Sequence, residues 1–395
     1  MYQRFFPASV RAALGYDAPG SWMPALPPGS IRFSAGYPFR ESIPDADLAA
    51  ATAALVADEG DLPFHYLGSP SMAQLDRLLA ARSTQRGMAP QEGELLVTAG
   101  AAQAIDLAAR ALLGPDDLVL VEAPTYMEAL EIFRNYTPHI LSCPVDDQGL
   151  RVDILAQELA NRQSKGLPMP KLLYTIASFQ NPTGACLSLQ RRRELLLLAE
   201  AYDFLVLEDD AYGQLAFGEP PVPLKALDQA GRVIHVGSLS KVVAPGLRIG
   251  WALGPQPVIE AMSLFKKDLD HSAIRAVTAR YLAGVDMAAR VDWLRNAYRV
   301  RCNHLLALLA GYMPEWVTWS VPQGGFFIWL NTPGVDTMAM LPRALQAGVA
   351  YIPGKHFYFQ PGTGLEQLRL SFSYLPPEAM TEGVERLAAV LKAER

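Results

Sequence analysis

Two serines, a lysine and an arginine stand close together in the stretch Val233-Ile-His-Val-Gly-Ser-Leu-Ser-Lys-Val-Val-Ala-Pro-Gly-Leu-Arg-Ile-Gly250. Ser238, Ser240 and Lys241 follow a β-branched run typical of a buried strand, and Arg248 lies seven residues beyond the lysine. An arginine offers a planar fork of donors, a serine offers a neutral donor, and a lysine offers an amine that can attack a carbonyl. The set therefore suits a phosphate dianion beside a carbonyl group.

Three interpretations of this stretch are open at this point. The simplest is a strand followed by a solvated turn whose charges are incidental. The spacing Ser238-Leu-Ser-Lys241 also matches the Ser-x-x-Lys nucleophile of penicillin-binding proteins and β-lactamases, but those proteins need Ser-Asp-Asn and Lys-Thr-Gly as well, and neither tripeptide occurs in this chain. The third is a lysine that forms a Schiff base with pyridoxal 5'-phosphate (PLP), which requires a partner for the pyridine nitrogen and a cradle for the phosphate.

Carboxylates suited to a pyridine nitrogen follow an upstream strand, in Phe204-Leu-Val-Leu-Glu-Asp-Asp-Ala-Tyr212. A carboxylate on that nitrogen keeps it protonated, so that the ring can accept electrons from a substrate carbanion. Taken alone, Asp209 and Asp210 are more often a helix cap or a solvated pair. Tyr212 can either hydrogen-bond the phenolate oxygen of the ring or simply pack against its neighbours.

Three further motifs supply other parts of such a site. Asn181-Pro-Thr-Gly184 follows a strand, and besides forming a turn it places an amide donor near the phenolate oxygen. Gly100-Ala-Ala-Gln103 begins a helix with small residues, whose backbone N–H groups and dipole favour a phosphate. Tyr126 can stack on a flat ring, although in isolation a core tyrosine is the commoner outcome.

Strands must bring these turns together. Short apolar runs alternate with helical stretches at 95–98, 118–121, 172–176, 204–207 and 233–236, and 247–253 is a candidate for one more strand. This alternation predicts a mostly parallel sheet covered on both faces, that is, a three-layer α/β domain. In such a sheet ligands bind at the carboxyl ends of the strands.

The two ends of the chain differ from this alternating pattern. Residues 1–30 are rich in proline, glycine and aromatic residues and predict an arm on the surface. Beyond a helical stretch at 263–309, strands are predicted at 321–330, 349–352 and 368–373, followed by a helix at 377–393. We therefore predict a large PLP-binding domain over 46–285 and a smaller α+β domain formed by 31–45 and 286–395.

The composition restricts the function classes. The chain has 395 residues, 50% of them apolar, and a net charge of −6, which disfavours nucleic-acid and anionic-membrane partners. Its three cysteines, Cys143, Cys186 and Cys302, are too far apart for a disulfide framework or a metal site and favour a reducing compartment. No apolar run approaches the ~20 residues of a membrane span and no signal peptide is recognisable, so a cytoplasmic location is predicted.

Taken together and in this order, the motifs are specific. The chain resembles the class I and II aminotransferases of PLP-dependent fold type I, and within them the α-aminoadipate and kynurenine aminotransferase branch, which shares Glu-Asp-Asp-x-Tyr and Ser-x-Ser-Lys followed by Gly-Leu-Arg-Ile-Gly. The resemblance extends from Ile31 to the C-terminus. It implies a homodimeric enzyme that uses PLP to move the amino group of an α-amino acid to an oxo acid such as 2-oxoglutarate.

The resemblance also implies a role for each motif. Lys241 would form the Schiff base and move the substrate proton, while Asp209 would partner the pyridine nitrogen. Asn181 and Tyr212 would hold the phenolate oxygen. The residues implied around the phosphate and the ring are Gly100, Ala101, Ala102, Gln103, Tyr126, Ser238, Ser240 and Arg248. The residues implied to meet the substrate are Gly36, Tyr37, Asn181 and, through the α-carboxylate, Arg369. Tyr66 of one subunit would reach the phosphate of the other.

The chain departs from the family pattern in two places. The residue five positions after Tyr66 is Ser71 where the family has glycine, and Leu75-Asp76 stands where it has Leu-Arg. Tyr37 stands where the branch often carries a smaller aliphatic residue near the substrate. The substrate can therefore differ from aminoadipate.

Two other functions stay open. A PLP-dependent lyase, cyclase or decarboxylase on the same scaffold shares the first steps and differs in which substrate bond lies perpendicular to the ring. The chain could also be the sensing half of an aminotransferase-like transcription regulator, although an arm of 30 residues is shorter than the ~50 residues of a small domain.

Overall fold

The computed structural model describes residues 2–15, 25–66, 68–267 and 271–394. Residues 16–24 of the predicted arm lie outside these ranges. The helices, numbered along the chain, are α1 Ala8–Ala13, α2 Asp45–Glu59, α3 Pro70–Gln85, α4 Ala101–Leu112, α5 Met127–Arg134, α6 Val152–Ser164, α7 Leu189–Ala201, α8 Leu224–Leu227, α9 Gln256–Phe265, α10 Ser272–Gly284, α11 Met287–Tyr312, α12 Thr337–Gln346 and α13 Pro377–Ala393. The strands are β1 Ile31–Arg32, β2 Leu95–Thr98, β3 Leu118–Ala123, β4 Ile140–Asp146, β5 Gly149–Leu150, β6 Pro170–Thr175, β7 Leu205–Asp209, β8 Val233–Ser238, β9 Gly250–Leu253, β10 Thr318–Trp319, β11 Phe327–Asn331, β12 Val349–Ala350, β13 Ile352–Pro353 and β14 Gln367–Ser371.

The larger sheet is mostly parallel, as predicted. Its strand order is β2-β9-β8-β7-β6-β3-β4-β5, and the run from β8 to β4 is parallel throughout. The remaining strands, β2, β9 and β5, join antiparallel. The predicted strand at 247–253 is present as β9, whereas β2 pairs with it in antiparallel and does not extend the parallel series.

Helices cover both faces of this sheet, so the three-layer prediction is confirmed. Val119 and Val121 of β3 pack in the core that includes α4, α5 and α9. Leu120, between them in sequence, packs in the core that includes α6 and α7. Successive residues of a strand point to opposite faces, and both faces of β3 are therefore buried.

The sequence did not predict strand β4. It has only two buried residues, Ile140 and Cys143, separated by partly exposed ones. Because β4 lies near the end of the sheet, where it pairs with the short β5, it lacks the continuous apolar run that marks the central strands.

A second, smaller sheet has the order β10-β11-β14-β13 and is antiparallel. The predicted strand at 321–330 begins only at Phe327, and the predicted strand at 349–352 is divided between β12, which pairs with β1, and β13, which pairs with β14. The helix predicted at 377–393 is present as α13. The division into domains at 45/46 and 285/286 stays a prediction.

The topology brings the candidate site residues to one edge of the sheet. The parallel strands β3, β6, β7 and β8 end in the turns that carry Tyr126, Asn181, Asp209 and Ser238, and the carboxyl ends of parallel strands meet at one edge. Among the described residues, no helix is long and apolar enough to cross a membrane.

Candidate active site

The carboxyl ends of the central strands face a cavity of about 500 Å³. Most of the site residues predicted from the sequence line it: Gly36, Tyr37, Ala101, Ala102, Tyr126, Asn181, Asp209, Tyr212, Ser238, Ser240, Lys241, Arg248 and Arg369. Three predicted residues do not. Gly100 forms the turn before α4, and Gln103 turns back to accept a 2.7 Å hydrogen bond from the Ala99 N–H. Tyr66 is 82% exposed and lies outside the cavity wall.

Asp209, the last residue of β7, has one carboxylate oxygen bonded and one free. Tyr174 Oη donates a 2.8 Å hydrogen bond to Oδ2, and Oδ1 is buried without a hydrogen-bond partner among the described residues. Burial raises the pKa of Asp209 to about 6, an effect that the Tyr174 hydrogen bond opposes and the charge of Asp210 supports. A cationic N–H group at Oδ1 would satisfy this oxygen and stabilise the carboxylate.

The acids on either side of Asp209 are held elsewhere. Glu208 accepts hydrogen bonds of 2.7 and 3.1 Å from two backbone N–H groups at the start of α8, and it lies 3.1 Å from Nδ1 of His235. Asp210 forms a buried ion pair with Arg86 at 2.6 Å. Because neither acid lines the cavity, Asp209 is the acid of this trio that can meet a ligand.

Lys241 reaches the cavity from the turn after β8. Its Nζ donates a 3.0 Å hydrogen bond to the Gly36 carbonyl and lies 5.8 and 5.7 Å from the ring centroids of Tyr212 and Phe326. Burial lowers the pKa of Lys241 to about 8, and the positive charge of Arg369 contributes to the same shift. An amine with this pKa is unprotonated far more often near neutral pH than an ordinary lysine, as a nucleophile or proton acceptor requires.

The start of α4 and the turn after β8 provide anion-binding groups. Gly100 has a φ of +88°, and a side chain there would collide with the guanidinium of Arg248. Arg248 itself has a left-handed φ of +52°, a conformation that is costly for a residue with a Cβ atom, and its Nη2 donates to the Ala99 carbonyl at 3.1 Å. Ser238 and Ser240 lie 2.9 Å apart between their hydroxyl oxygens. Backbone N–H groups of a helix start, a guanidinium and two hydroxyls together suit a phosphate.

Arg369 on β14 is a buried cation in the cavity wall, 3% exposed. Its Nη1 donates to Asn181 Oδ1 at 2.7 Å and its Nη2 to the Ser34 carbonyl at 3.0 Å. The guanidinium carbon lies 4.0 Å from the centroid of the Phe327 ring. Burial lowers the pKa of Arg369 to about 10, so the side chain stays charged at neutral pH. It forms no ion pair with an acid of the described chain and can receive a carboxylate.

The loop that carries Asn181 is held by a buried carboxylate. Glu122 accepts hydrogen bonds from Thr175 Oγ1 at 2.5 Å, from the Ile176 N–H at 3.1 Å and from Gln180 Nε2 at 2.9 Å. Burial raises the pKa of Glu122, and these hydrogen bonds oppose the shift. Glu122 thus ties the end of β6 to the residue that precedes Asn181.

Sequence reasoning missed several residues of this site. Tyr174 and Glu122 lie within strands, where a single sequence gives no sign that a side chain contacts the neighbouring strand end. Arg32 and Glu128 line the cavity, and Glu128 accepts a hydrogen bond from the Tyr126 hydroxyl. Of these residues, only Glu128 could have been found from the sequence, because it lies two residues after Tyr126, a candidate for stacking on the ring.

The groups around the cavity fit PLP. The buried free oxygen of Asp209 suits a protonated pyridine nitrogen, and the α4 start with Arg248 suits the phosphate. The Lys241 amine stands in the same wall, where an aldehyde carbon could be reached. No part of this donor set conflicts with the cofactor.

Comparison with known proteins agrees with a PLP site. Residues 32–387 match the model of the family described as aminotransferase class I and II. The chain is 35% identical over 370 residues to an aromatic-amino-acid aminotransferase of Thermococcus litoralis, which covers 92% of this chain and 88% of that protein.

Two solved structures are similar along almost the whole chain. A multiple substrate aminotransferase from Thermococcus profundus superposes with a TM-score of 0.91 at 34% identity, covering 100% of this chain and 98% of that one. An α-aminoadipate aminotransferase from Thermus thermophilus, solved with N-(5'-phosphopyridoxyl)-L-leucine, superposes with a TM-score of 0.89 at 32% identity, covering 100% and 99%.

Proposed function

The chain is a member of the class I and II aminotransferase family and transfers amino groups with pyridoxal phosphate, and we propose that it moves the amino group of an α-amino acid to an oxo acid such as 2-oxoglutarate. The observation that carries the proposal is that three groups face one cavity. They are the free oxygen of Asp209, the Lys241 amine and the buried Arg369 cation.

Each end of the cofactor has candidate partners in this chain. The phosphate would be held by Ser238, Ser240, Arg248 and the backbone N–H groups of Ala101 and Ala102. The pyridine nitrogen would be held by Asp209, the phenolate oxygen by Asn181 and Tyr212, and one ring face by Tyr126. When bound, the cofactor accepts the electron pair that remains on the substrate's Cα after its proton leaves.

The remaining work falls to side chains of this chain. Arg369 and Asn181 would bind the α-carboxylate, which fixes the direction of the Cα–H bond. Lys241 Nζ would take the proton from Cα, and its pKa of about 8 keeps a useful fraction in the free-base form. The carboxylate of Asp209 would keep a proton on the pyridine nitrogen throughout the reaction.

A homodimer in the cytoplasm completes the proposal. Tyr66 and Phe64 are 82% and 67% exposed, next to an apolar groove lined by Leu48, Val56 and Ile274. A second copy of the chain would cover this surface and bring Tyr66 toward the other phosphate site. The free thiols of the cysteines are consistent with a reducing compartment. Light scattering of the purified protein tests the dimer.

The activity is tested with a panel of amino acids. The PLP form is mixed with each amino acid, first alone and then with 2-oxoglutarate, and the products are separated. Transamination gives one equivalent of oxo acid per site without acceptor, and many equivalents together with glutamate when the acceptor is present. Release of carbon dioxide or ammonia in repeated turnovers without an acceptor would instead identify the decarboxylase or lyase alternative.

A further inference from the structure

Two charged side chains in the described part of the cavity wall have no role in the reaction proposed above. Once the groups assigned to the cofactor, the α-carboxylate and proton transfer are set aside, Glu128 and Arg32 remain. They form no ion pair with each other, and the side chain of Arg32 makes no hydrogen bond to any described residue. Each charge is therefore available to a ligand.

Glu128 stands beside the position proposed for the cofactor ring. It lies in the first turn of α5, and its carboxylate accepts a hydrogen bond from Oη of Tyr126, the proposed stacking residue. Burial dominates the lowered pKa values of Lys241 and Arg369, and the negative charge of Glu128 acts against both shifts. The carboxylate thus lies within electrostatic range of the amine and of the arginine that would hold the α-carboxylate.

The proposed binding mode directs the substrate side chain toward this carboxylate. With the α-carboxylate on Arg369 and the α-amino group near Lys241, the side chain of the substrate must lie against the rest of the cavity wall. The cavity-lining residues that remain for it include Leu26, Arg32, Tyr37, Glu128 and Ile352. Glu128 and Arg32 are both exposed, and of the two it is Glu128 that contacts Tyr126, the proposed stacking residue.

We propose that Glu128 is a specificity-determining residue that favours amino donors whose side chains end in a positive charge or an N–H donor, and disfavours acidic side chains. The inference rests on the proposed function, because it uses the proposed position of the substrate. A purely structural role is the alternative, since an acid in the first turn of a helix stabilises it through the helix dipole.

The test compares donors that differ in one group. Lysine and norleucine have side chains of the same carbon length, with and without the terminal ammonium. For the wild-type holoenzyme and Glu128→Gln, kcat and KM are measured with both. Glu128→Gln keeps an acceptor for Tyr126 and removes only the charge, so the ratio of kcat/KM for lysine over norleucine should fall through KM by up to about fivefold, as for one exposed ion pair. The KM for 2-aminoadipate should fall in the same variant.

Glu131→Gln is the matched control. It removes the same charge from the same helix one turn later, and Glu131 does not line the cavity. Its lysine-to-norleucine ratio should equal that of the wild type. Binding is measured in parallel by calorimetry with the α-methyl derivatives of lysine and norleucine, which lack a Cα proton and cannot be transaminated.

The outcomes separate the two proposals. A wild-type enzyme that transaminates no amino acid overturns the proposed function, and the calorimetry with α-methyl compounds still decides the role of Glu128. An unchanged ratio in Glu128→Gln in both measurements overturns the specificity proposal, as does a ratio that changes only in Arg32→Gln. A lower melting temperature with equal losses for every donor would assign Glu128 to helix stability alone.

Discussion

Tyr174 and Asp209 stand on adjacent parallel strands, and the tyrosine hydroxyl donates a 2.8 Å hydrogen bond to Oδ2 of the aspartate. Both side chains are buried. The bond satisfies one carboxylate oxygen and fixes the rotation of the carboxylate, so that Oδ1 is left for a ligand. The orientation of the proposed pyridine partner is thus set by a residue that does not line the cavity.

Tyr174→Phe should keep the fold and bind PLP, but turn over more slowly. Loss of one buried hydrogen bond to a charged acceptor costs roughly 1.5–3 kcal/mol, which predicts a fall in kcat of about tenfold or more. Without this bond the Asp209 carboxylate is the stronger base, so a larger share of the proton should lie on Asp209 and a smaller share on the pyridine nitrogen, which the cofactor's absorbance reports. Tyr136→Phe is the control, because it removes a 2.8 Å tyrosine–aspartate bond, to Asp106, outside the site. Equal effects of the two substitutions would contradict the positioning role.

The cofactor-free protein should show the titration of Asp209 in its stability. The folded-state pKa of about 6 lies above the ordinary value of 3.8, so the folded state binds this proton more tightly than the unfolded state. The contribution is fully present below pH 3.8 and is lost as the pH rises through 6. Relative to Asp209→Asn, the wild type should lose on the order of 3 kcal/mol across this window. Urea unfolding from pH 4 to 7 measures it, and a constant difference would refute the assignment.

Asp210→Asn should impair stability and not chemistry. From sequence alone a mild effect is expected, since Asp210 follows the strand in a turn, but the structure pairs it with Arg86 at 2.6 Å in a buried position. Breaking a buried pair costs about 3 kcal/mol or more, so the melting temperature should fall while kcat per folded site is kept. Asp209→Asn should instead lower kcat and leave the melting temperature unimpaired. If Asp210→Asn abolished turnover in fully folded protein, the two aspartates would have to exchange roles.

The contrast between Asp209 and Asp210 shows what can be predicted from the sequence and what cannot. The motif around Glu208 identifies a cluster of acids at a strand end, and strand alternation separates them onto two faces. The partners that distinguish Asp209 from Asp210 are Tyr174, 35 residues upstream, and Arg86, the residue that follows α3. Such contacts depend on the packed arrangement of elements, which no local pattern encodes.

The fold was predictable where burial is uniform. The central strands carry continuous apolar runs because both their faces are covered, and each was found within a few residues. Strand β4 was missed because its position near the sheet end leaves it partly exposed. The antiparallel pairing of β2 was missed because strand direction leaves no trace in an apolar run.

Lys241→Ala should abolish amino-group transfer and leave the fold intact. The lysine lies on the turn after β8, and its Nζ contacts a carbonyl and two aromatic rings and forms no ion pair with a described residue. Circular dichroism and melting temperature should match the wild type, while product formation falls to background. Borohydride treatment of the wild-type holoenzyme followed by peptide mapping should place the pyridoxyl group on Lys241. A label on Lys171, Lys225 or Lys266 would contradict the assignment.

Arg369→Ala is the substitution that best tests substrate binding. A charge-assisted arginine–carboxylate contact contributes roughly 1.5–3 kcal/mol, so every α-amino acid should bind at least about tenfold more weakly, because all share the α-carboxylate. PLP should still bind, since its phosphate is assigned to Ser238, Arg248 and the start of α4. Arg369 also donates to Asn181 and Ser34, so Arg369→Lys, which keeps the charge but not the planar fork, separates charge from geometry.

The two arginine variants make a graded prediction. Arg369→Lys should recover part of the lost affinity for α-amino acids, because the charge remains, and Arg369→Ala should recover none. A change at Tyr37, which is 58% exposed in the cavity wall, should instead alter the order of preference among amino acids without a uniform loss. If amino-acid affinities were unchanged in Arg369→Ala, the α-carboxylate would have to bind elsewhere. The substrate would then lie in another orientation, and the specificity role proposed for Glu128 would lose its basis.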